Sequence, residues 1–321
     1  MFPGSMGHEE ETQVKQIIIS AFEKLGNEEK FKPLVLESLR PNERRMLFEK
    51  KLINQDFSLN KDKSLILNKD YSFSGMINTV DHLRMISLGS GLSLESLSKE
   101  LLEIDSKLEE IIDFAVDLDW GYLSCDLGNL GTGMRTSLLV HLPALVKTGL
   151  IDKVLKAMLH ADFQVTGFIG DSDSSWDSGD SLGQFYLVAN SRTLGVSEEE
   201  NRLQIEKLAD QLINYERMAR NDLLDNKIEL EDRVFRARGL LENCRLLSYN
   251  ESIELISSLR LGGILGLLNF SLEQLNSLLI LGQPCHIQER LIEKEAKLDD
   301  QTVDRERADF FKSYLLSDSG V

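Results

Sequence analysis

The chain has 321 residues, 42% of them apolar and 28% charged, which predicts an ordinary globular protein with room for two domain cores. Its net charge of −17 argues against nucleic-acid binding, because phosphate backbones attract clustered lysine and arginine. The three cysteines have no metal-ligand spacing, and the sequence shows neither a signal-peptide pattern nor an apolar stretch of about 18 residues. We therefore predict a cytoplasmic protein that does not bind membranes.

The first part of the chain mixes helical and strand-like patterns. Apolar side chains recur at helical spacing over 10–25, and Pro41 favours the start of a second helix, predicted over 41–52. A third helix is predicted over 93–118, and the segment 171–183 has so few apolar residues that we predict a mobile loop. Short apolar runs predict strands over 64–67, 74–79, 83–88, 121–125, 163–169 and 184–189.

The pattern changes near residue 197. Ser197 is followed by three glutamates, which suit the positive end of a helix, and helical spacing then continues to residue 316. We therefore predict an α+β domain over residues 1–197 and an all-α domain over 198–321. Breaks between the helices of the second domain are predicted at 247–250, 261–266 and 283–284.

A glycine-rich loop is the most distinctive local feature. Gly128, Gly131 and Gly133 follow Cys125 and lead into Arg135. Glycine lets the backbone approach a ligand closely, and exposed amides beside a guanidinium suit a phosphate group. The alternative is that these glycines only form turns.

The loop as a whole is more specific than its glycines. Residues 125–135 read Cys-Asp-Leu-Gly-Asn-Leu-Gly-Thr-Gly-Met-Arg. This string resembles the Cys-Pro-(Ser/Thr)-Asn-(Leu/Val)-Gly-Thr-Gly-(Leu/Met)-Arg signature of the ATP:guanido phosphotransferases. Further segments, covering roughly residues 10 to 316 in all, resemble the bacterial protein arginine kinases in particular: 190–195, 228–236, 239–245 and 260–262. The resemblance implies a curved antiparallel sheet flanked by helices, then an all-α dimerising domain, with ATP and Mg²⁺ as cofactors.

Carried over position by position, the resemblance implies three groups of site residues. Cys125 would be a reactive thiol near the guanidinium, and Asp81 or Asp171 would substitute for the catalytic base. A phosphoarginine-sensing motif falls on Val303, Asp304, Arg307 and Ala308. The residues implied to contact ATP are Lys51, Arg84, Arg135, Thr136, Ser137, Leu138, Leu139, Thr166, Gly167, Phe168, Ile169, Gly170 and Asp171.

The chain departs from the family pattern where the chemistry is done. In place of Asn-Glu-Glu-Asp-His-(Leu/Ile)-Arg it has Asn78-Thr79-Val80-Asp81-His82-Leu83-Arg84. Val80 occupies the position of the guanidinium-binding base, and a valine neither accepts a proton nor pairs with a cation. The family's Ser-Ser-Arg-x-Arg phosphate segment is not found, and Thr166 and Val303 each replace an arginine. Each lost charged contact costs about 1.5–3 kcal/mol, so we expect weakened nucleotide binding.

Most of these residues also have a purely structural interpretation. Cys125 is then a small residue beside a loop, and Arg84 and Arg135 each pair with a carboxylate. Asp304–Arg307 is then a salt bridge on a helix surface, which contributes little energy. Trp120 is expected to pack inside the protein.

Three functions remain open. The first is a protein arginine kinase homologue with a degenerate active site, acting as a regulatory or scaffolding subunit. It would form a homodimer, or a heterodimer with an active kinase, and its partners would be stress-response protease or chaperone components. The alternative is an active kinase that transfers the γ-phosphate of ATP to arginine side chains of proteins. The third is a phosphoarginine-binding module without nucleotide chemistry.

Overall fold

The computed structural model of the chain describes residues 1–26, 30–60, 62–168 and 181–316. These residues form two compact units. The first unit combines Met1–Thr136 with Asn190–Glu206, and the second combines Ser137–Ala189 with the chain from Lys207 onward.

A four-stranded antiparallel sheet forms the centre of the first unit, with strand order β1-β2-β3-β4. Its strands are β1 (Lys32–Val35), β2 (Ser64–Leu67), β3 (Phe73–Ile77) and β4 (Leu83–Ser87). Every residue of β2 and β3 is buried, because these two central strands are covered on both faces. The helices of this unit are α1 (His8–Leu25), α2 (Pro41–Glu49), α3 (Gln55–Leu59) and α4 (Leu94–Glu109).

Alternation along β2 separates two apolar cores. Ile66 points into a core with Phe22 of α1, whereas Leu65 and Leu67 point into a second core with Leu52. Successive side chains of a strand face opposite sides of the sheet, so a run of three apolar residues supplies both layers.

A short hairpin completes the first unit. It pairs β5 (Val116–Asp117) with β6 (Gly121–Tyr122) and is followed by a 3₁₀ turn at Leu127–Asn129. Gly121 closes the hairpin with a φ of 68°, a conformation that glycine adopts without strain.

The second unit contains a three-stranded sheet and most of the helices. The sheet has the order β7-β9-β8, with strands β7 (Ser137–His141), β8 (Phe163–Gly167) and β9 (Phe185–Asn190). One core packs this sheet against its helices, and a second lies among the later helices. The remaining helices of the chain are α5 (Pro143–Lys147), α6 (Ile151–His160), α7 (Glu198–Leu223), α8 (Lys227–Asn243), α9 (Tyr249–Ile264), α10 (Leu272–Leu281), α11 (Pro284–Glu293) and α12 (Asp300–Leu316).

The α+β class with a helical C-terminal part is confirmed, but several predicted boundaries are wrong. The helix predicted over 93–118 ends at Glu109, where the amides of Ile111 and Ile112 both bond back to the Leu108 carbonyl and close the last turn. The helix α9 continues through the predicted break at 261–266 as far as Ile264. Most of the predicted loop at 171–183 lies outside the described residues.

Three strands were not predicted, namely β1, β7 and β5, which lies inside the helix predicted over 93–118, and the predicted burial of Trp120 is wrong. Nothing in the sequence pattern predicted β1 or β7, because their short apolar runs carry no clear period. Trp120 is 52% exposed rather than packed, since the hairpin holds it at the surface. In the described ranges, no helix is both long enough and apolar enough to cross a membrane.

Candidate active site

The turn between β3 and β4 carries the altered acidic motif. Asn78 has a φ of 54°, which asparagine tolerates, and its amide donates to the His82 carbonyl at 2.9 Å. The Thr79 amide donates to the Asp81 carbonyl at 3.0 Å. This tight turn leaves the Val80 side chain 50% exposed, so an apolar group faces solvent where the resemblance implies a base.

Asp81 is bonded to the cysteine loop through both carboxylate oxygens. Oδ2 accepts from Ser124 Oγ at 2.8 Å, and Oδ1 accepts from the Cys125 amide at 2.9 Å. Asp81 therefore positions the loop that carries Cys125, whose side chain is exposed. Both oxygens are occupied by protein donors, which disfavours Asp81 as a substitute base.

The amides of the glycine loop are mostly used inside the protein. The Gly128 amide donates to Asp126 Oδ1 at 2.9 Å, and the Gly131 amide faces the Tyr122 carbonyl at 3.4 Å. Gly131 has a φ of 95°, and a Cβ there would overlap the Thr193 carbonyl. Gly131 therefore serves close packing of backbone on backbone, in addition to the turn geometry that the sequence predicted.

Two arginines lie close together beside this loop. Arg84 lies on β4, and its side chain is partly exposed. Partial desolvation of its guanidinium lowers the pKa of Arg84. The charge of Arg135 lowers the pKa of Arg84 further, whereas Asp81 and Asp126 raise it. Two guanidinium groups near enough to repel each other form a seat for an anion such as phosphate.

Lys51 lies in the turn after α2. Its φ is 62°, its amide donates to the Phe48 carbonyl at 2.8 Å, and its Nζ lies 5.0 Å from the centroid of the Phe48 ring. The ammonium group is thus held over an aromatic face at an exposed position. Its predicted contact with ATP stays a prediction.

Thr136 follows the glycine-rich loop directly, within the first unit, and hydrogen bonds hold its backbone in place. Its amide donates to Asn190 Oδ1 at 2.7 Å, and Asn190 Nδ2 donates to the Arg192 carbonyl at 2.7 Å. Asn190 is a buried positioning residue that the resemblance placed only within a general motif.

The other implied ATP residues of the second unit lie on the two outer strands of its sheet. Ser137, Leu138 and Leu139 belong to β7, where Ser137 and Leu139 are exposed. Thr166 and Gly167 belong to β8, where Thr166 is exposed. Phe168 follows, with its amide bonded to the Phe185 carbonyl at 2.8 Å. Three further predicted positions lie outside the described residues: Ile169, Gly170 and Asp171.

The predicted sensing motif lies within the core of the second unit. Arg307 is only 2% exposed, so the surface salt bridge considered from the sequence is wrong. Its Nε donates to the Gly282 carbonyl at 2.9 Å, and its Nη1 donates to the Leu247 carbonyl at 2.9 Å and to Asp304 Oδ1 at 2.6 Å. The Val303 and Ala308 side chains are buried in the same apolar core.

Sequence reasoning missed one buried carboxylate that organises the second unit. Glu216 on α7 accepts from the amides of Ala144 and Leu145, both at 3.0 Å, and pairs with Arg220. Burial raises the pKa of Glu216, while these donors lower it. A lone glutamate in a long polar helix gave no signal of this role.

Comparison with known families fits this geometry. Residues 13–219 match the model of the ATP:guanido phosphotransferase C-terminal catalytic domain, which is more than half of the chain. The chain belongs to the ATP:guanido phosphotransferase family. Residues 227–320 match a second model, that of the protein-arginine kinase McsB C-terminal domain.

Several relatives are named protein-arginine kinase. The protein from Syntrophomonas wolfei is 33% identical over 320 residues, covering 98% of this chain and 87% of the relative. The one from Caldanaerobacter subterraneus is 38% identical over 255 residues, covering 79% and 74%. The one from Clostridium acetobutylicum is 36% identical over 260 residues, covering 80% and 74%.

Solved structures show the same fold at lower identity. Lombricine kinase aligns with a TM-score of 0.56 and 21% identity, covering 67% of this chain and 62% of that one. The substrate-free duplicated taurocyamine kinase from Schistosoma mansoni aligns with a TM-score of 0.55 and 23% identity. The alignment covers 67% of this chain and 30% of that duplicated chain.

The donor set of the first unit fits the phosphates of ATP, the cofactor that the family implies. Arg84 and Arg135 supply paired guanidinium groups, which bind phosphate oxygens with two bonds each. In the part of the chain that the structure describes, no three His, Cys, Asp or Glu side chains are grouped to hold a metal ion. Mg²⁺ binds mainly through nucleotide phosphates and water, so it needs no such cage.

Proposed function

We propose that this chain is an ATP-dependent protein arginine kinase that works slowly because it lacks a carboxylate at position 80. The observation that carries the proposal is that Arg135 lies against Gly128 of the glycine-rich loop, within electrostatic range of Arg84. The names of the relatives, at 33–38% identity, also support an active kinase better than a purely regulatory subunit.

The physics of phosphoryl transfer allows activity without the base. Such reactions depend chiefly on positioning and on positive charge around the transferred group. A general base contributes about 10²- to 10⁴-fold to the rate. We therefore expect turnover lower by about that factor than in a relative with the carboxylate, and not its complete loss.

The test measures phosphoarginine formed on an arginine-rich protein with Mg²⁺ and ATP, detected by mass spectrometry at neutral pH. Wild type should give slow, ATP-dependent transfer, and Arg84→Ala with Arg135→Ala should abolish it. Val80→Glu should raise the rate, whereas Val35→Glu, which alters another exposed valine, should not. No phosphoarginine from wild type or Val80→Glu would exclude the kinase proposal.

The exposed Val80 and the doubly bonded Asp81 favour a second candidate. In that case the chain binds ATP without transferring phosphate, and acts as a regulatory subunit of an active protein arginine kinase or of stress-response protease components. Calorimetry with a non-hydrolysable ATP analogue separates the two candidates. Saturable binding that needs Arg84 and Arg135, together with no transfer, identifies the regulatory candidate.

A further inference from the structure

A groove in the first unit has a volume of about 630 Å³, and none of the residues that line it is among those implied to contact ATP. We call it the Trp120 groove, and define it by the residues Glu109, Val116, Trp120, Tyr122, Thr132 and Glu198.

The floor of the Trp120 groove is rigid backbone. The Tyr122 amide donates to the Gly131 carbonyl at 2.8 Å, and the Thr132 amide donates to the Thr193 carbonyl at 3.1 Å. A Cβ on Gly121 would lie 2.6 Å from the Gly131 oxygen, so these chains pack as closely as glycine allows. A preformed groove loses little conformational entropy when a ligand binds.

The aromatic wall is also fixed in place. The Asp117 carboxylate accepts from the Asp119 amide at 2.9 Å and from the Trp120 amide at 3.1 Å, which holds the hairpin turn. Trp120 keeps 52% of its surface exposed and Val116 keeps 55%. Immobilised, half-exposed apolar side chains offer contact area for the stem of a long side chain.

Carboxylates lie beside Tyr122, a second aromatic residue of the groove. The Tyr122 hydroxyl lies between two of them, 3.1 Å from Asp105 Oδ2 and 2.7 Å from Glu109 Oε1. Burial raises the pKa of Asp105, and the charges of Glu109 and Glu198 raise it further. Among the described residues, no lysine or arginine forms an ion pair with these three carboxylates.

The N-terminus of α7 is capped locally, because the Glu200 amide donates to Ser197 Oγ at 3.2 Å and Glu200 Oε2 accepts from the Ser197 amide at 2.8 Å. The neighbouring Glu198 lines the groove. The Trp120 ring lines the same groove as the Glu109 and Glu198 carboxylates, and this combination complements a cation that has an apolar stem.

We propose that the Trp120 groove binds a basic segment of another protein by taking up an arginine side chain, its guanidinium facing Trp120 and the carboxylates of Glu109 and Glu198. The planar guanidinium stacks on an aromatic ring and also pairs with carboxylates, which a compact ammonium does less well. This binding does not depend on phosphoryl transfer, so it holds for either candidate function.

The test measures the affinity of a fluorescently labelled glycine–serine peptide that carries arginines, and of the same peptide with citrulline in their place. Citrulline keeps the shape of arginine without its charge. The arginine peptide should bind and weaken with salt, whereas the citrulline peptide should not bind. Trp120→Ala should weaken binding about 5- to 30-fold.

Matched variants locate the binding. Glu109→Gln with Glu198→Gln should weaken peptide binding, whereas Glu273→Gln, which removes an exposed acid of the second unit, should not. Arg84→Ala should lower ATP affinity and leave peptide affinity unchanged. Thermal unfolding checks that each variant is folded.

Three results would overturn the proposal. The first is equal affinity for the citrulline peptide, and the second is unchanged affinity in the Trp120 and carboxylate variants. The third is a change of oligomeric state in Trp120→Ala without a change in peptide affinity, which assigns the groove to a second copy of the chain.

Discussion

Replacing Arg307 by methionine tests whether this arginine is structural. Methionine keeps the apolar stem but removes every donor, so the carbonyls of Gly282 and Leu247 lose a charged partner and Asp304 loses its cation. Each bond to a charged donor contributes about 1.5–3 kcal/mol. Their effects overlap, and breaking one partner of a buried charged network costs about 3–5 kcal/mol.

The expected loss of about 3–5 kcal/mol is measured by urea unfolding followed by circular dichroism. Arg305→Met on the same helix is the matched control, because Arg305 is exposed, and surface changes usually stay within about 0.5 kcal/mol. If Arg307→Met costs no more than this control, the internal hydrogen bonds do not stabilise the fold. Arg307 would then be held in place for a ligand, as the family motif implies.

Gly131→Ala should destabilise the first unit by about 1–3 kcal/mol, because the new Cβ meets the Thr193 carbonyl at a positive φ. Urea unfolding measures this loss of stability, and an unchanged free energy of unfolding would contradict the close packing. Gly262→Ala should destabilise the second unit by a similar amount, because the new Cβ on α9 overlaps Val234 on α8. Thermal unfolding measures the effect, and Gly239→Ala is the control because a Cβ there enters open space. Burial lowers the pKa of Lys147 to about 8, so the folded state binds fewer protons than the unfolded state between pH about 8 and 10 and stability rises with pH there. Lys147→Met should therefore stabilise the protein at pH 7 and by less at pH about 10, and an equal gain at both values refutes the assignment.

The elements that the sequence predicted best are those whose pattern is local. The helix α1 was found because its apolar side chains recur at helical spacing, and β2 because three consecutive apolar residues stand between polar neighbours. Boundaries failed where a turn depended on neighbouring structure, as at Glu109. The strand β7 was missed, because a short apolar run is ambiguous until its partner β9 is known.

The same distinction between local patterns and distant contacts applies to the candidate site. Cys125 and Arg135 were found from one contiguous string, whereas the role of Asp81 depends on a contact with Cys125 that spans 44 positions. Residue type could not show that Asp81 has both oxygens occupied. It also could not show that the hydroxyl of Tyr122, in the hairpin, lies between Asp105 and Glu109 of α4.

The sequence by itself determined the family and the α+β class with its helical C-terminal part, because the family motifs and the helical spacing are local patterns of the chain. Tertiary structure decided which groups are buried, paired or presented to solvent. Arg307 lies in the core and Trp120 lies at the surface, whereas the sequence had suggested a surface salt bridge for Arg307 and a buried position for Trp120. The physical reason is that burial and charge pairing are set by residues distant in the chain, which only the folded packing brings together.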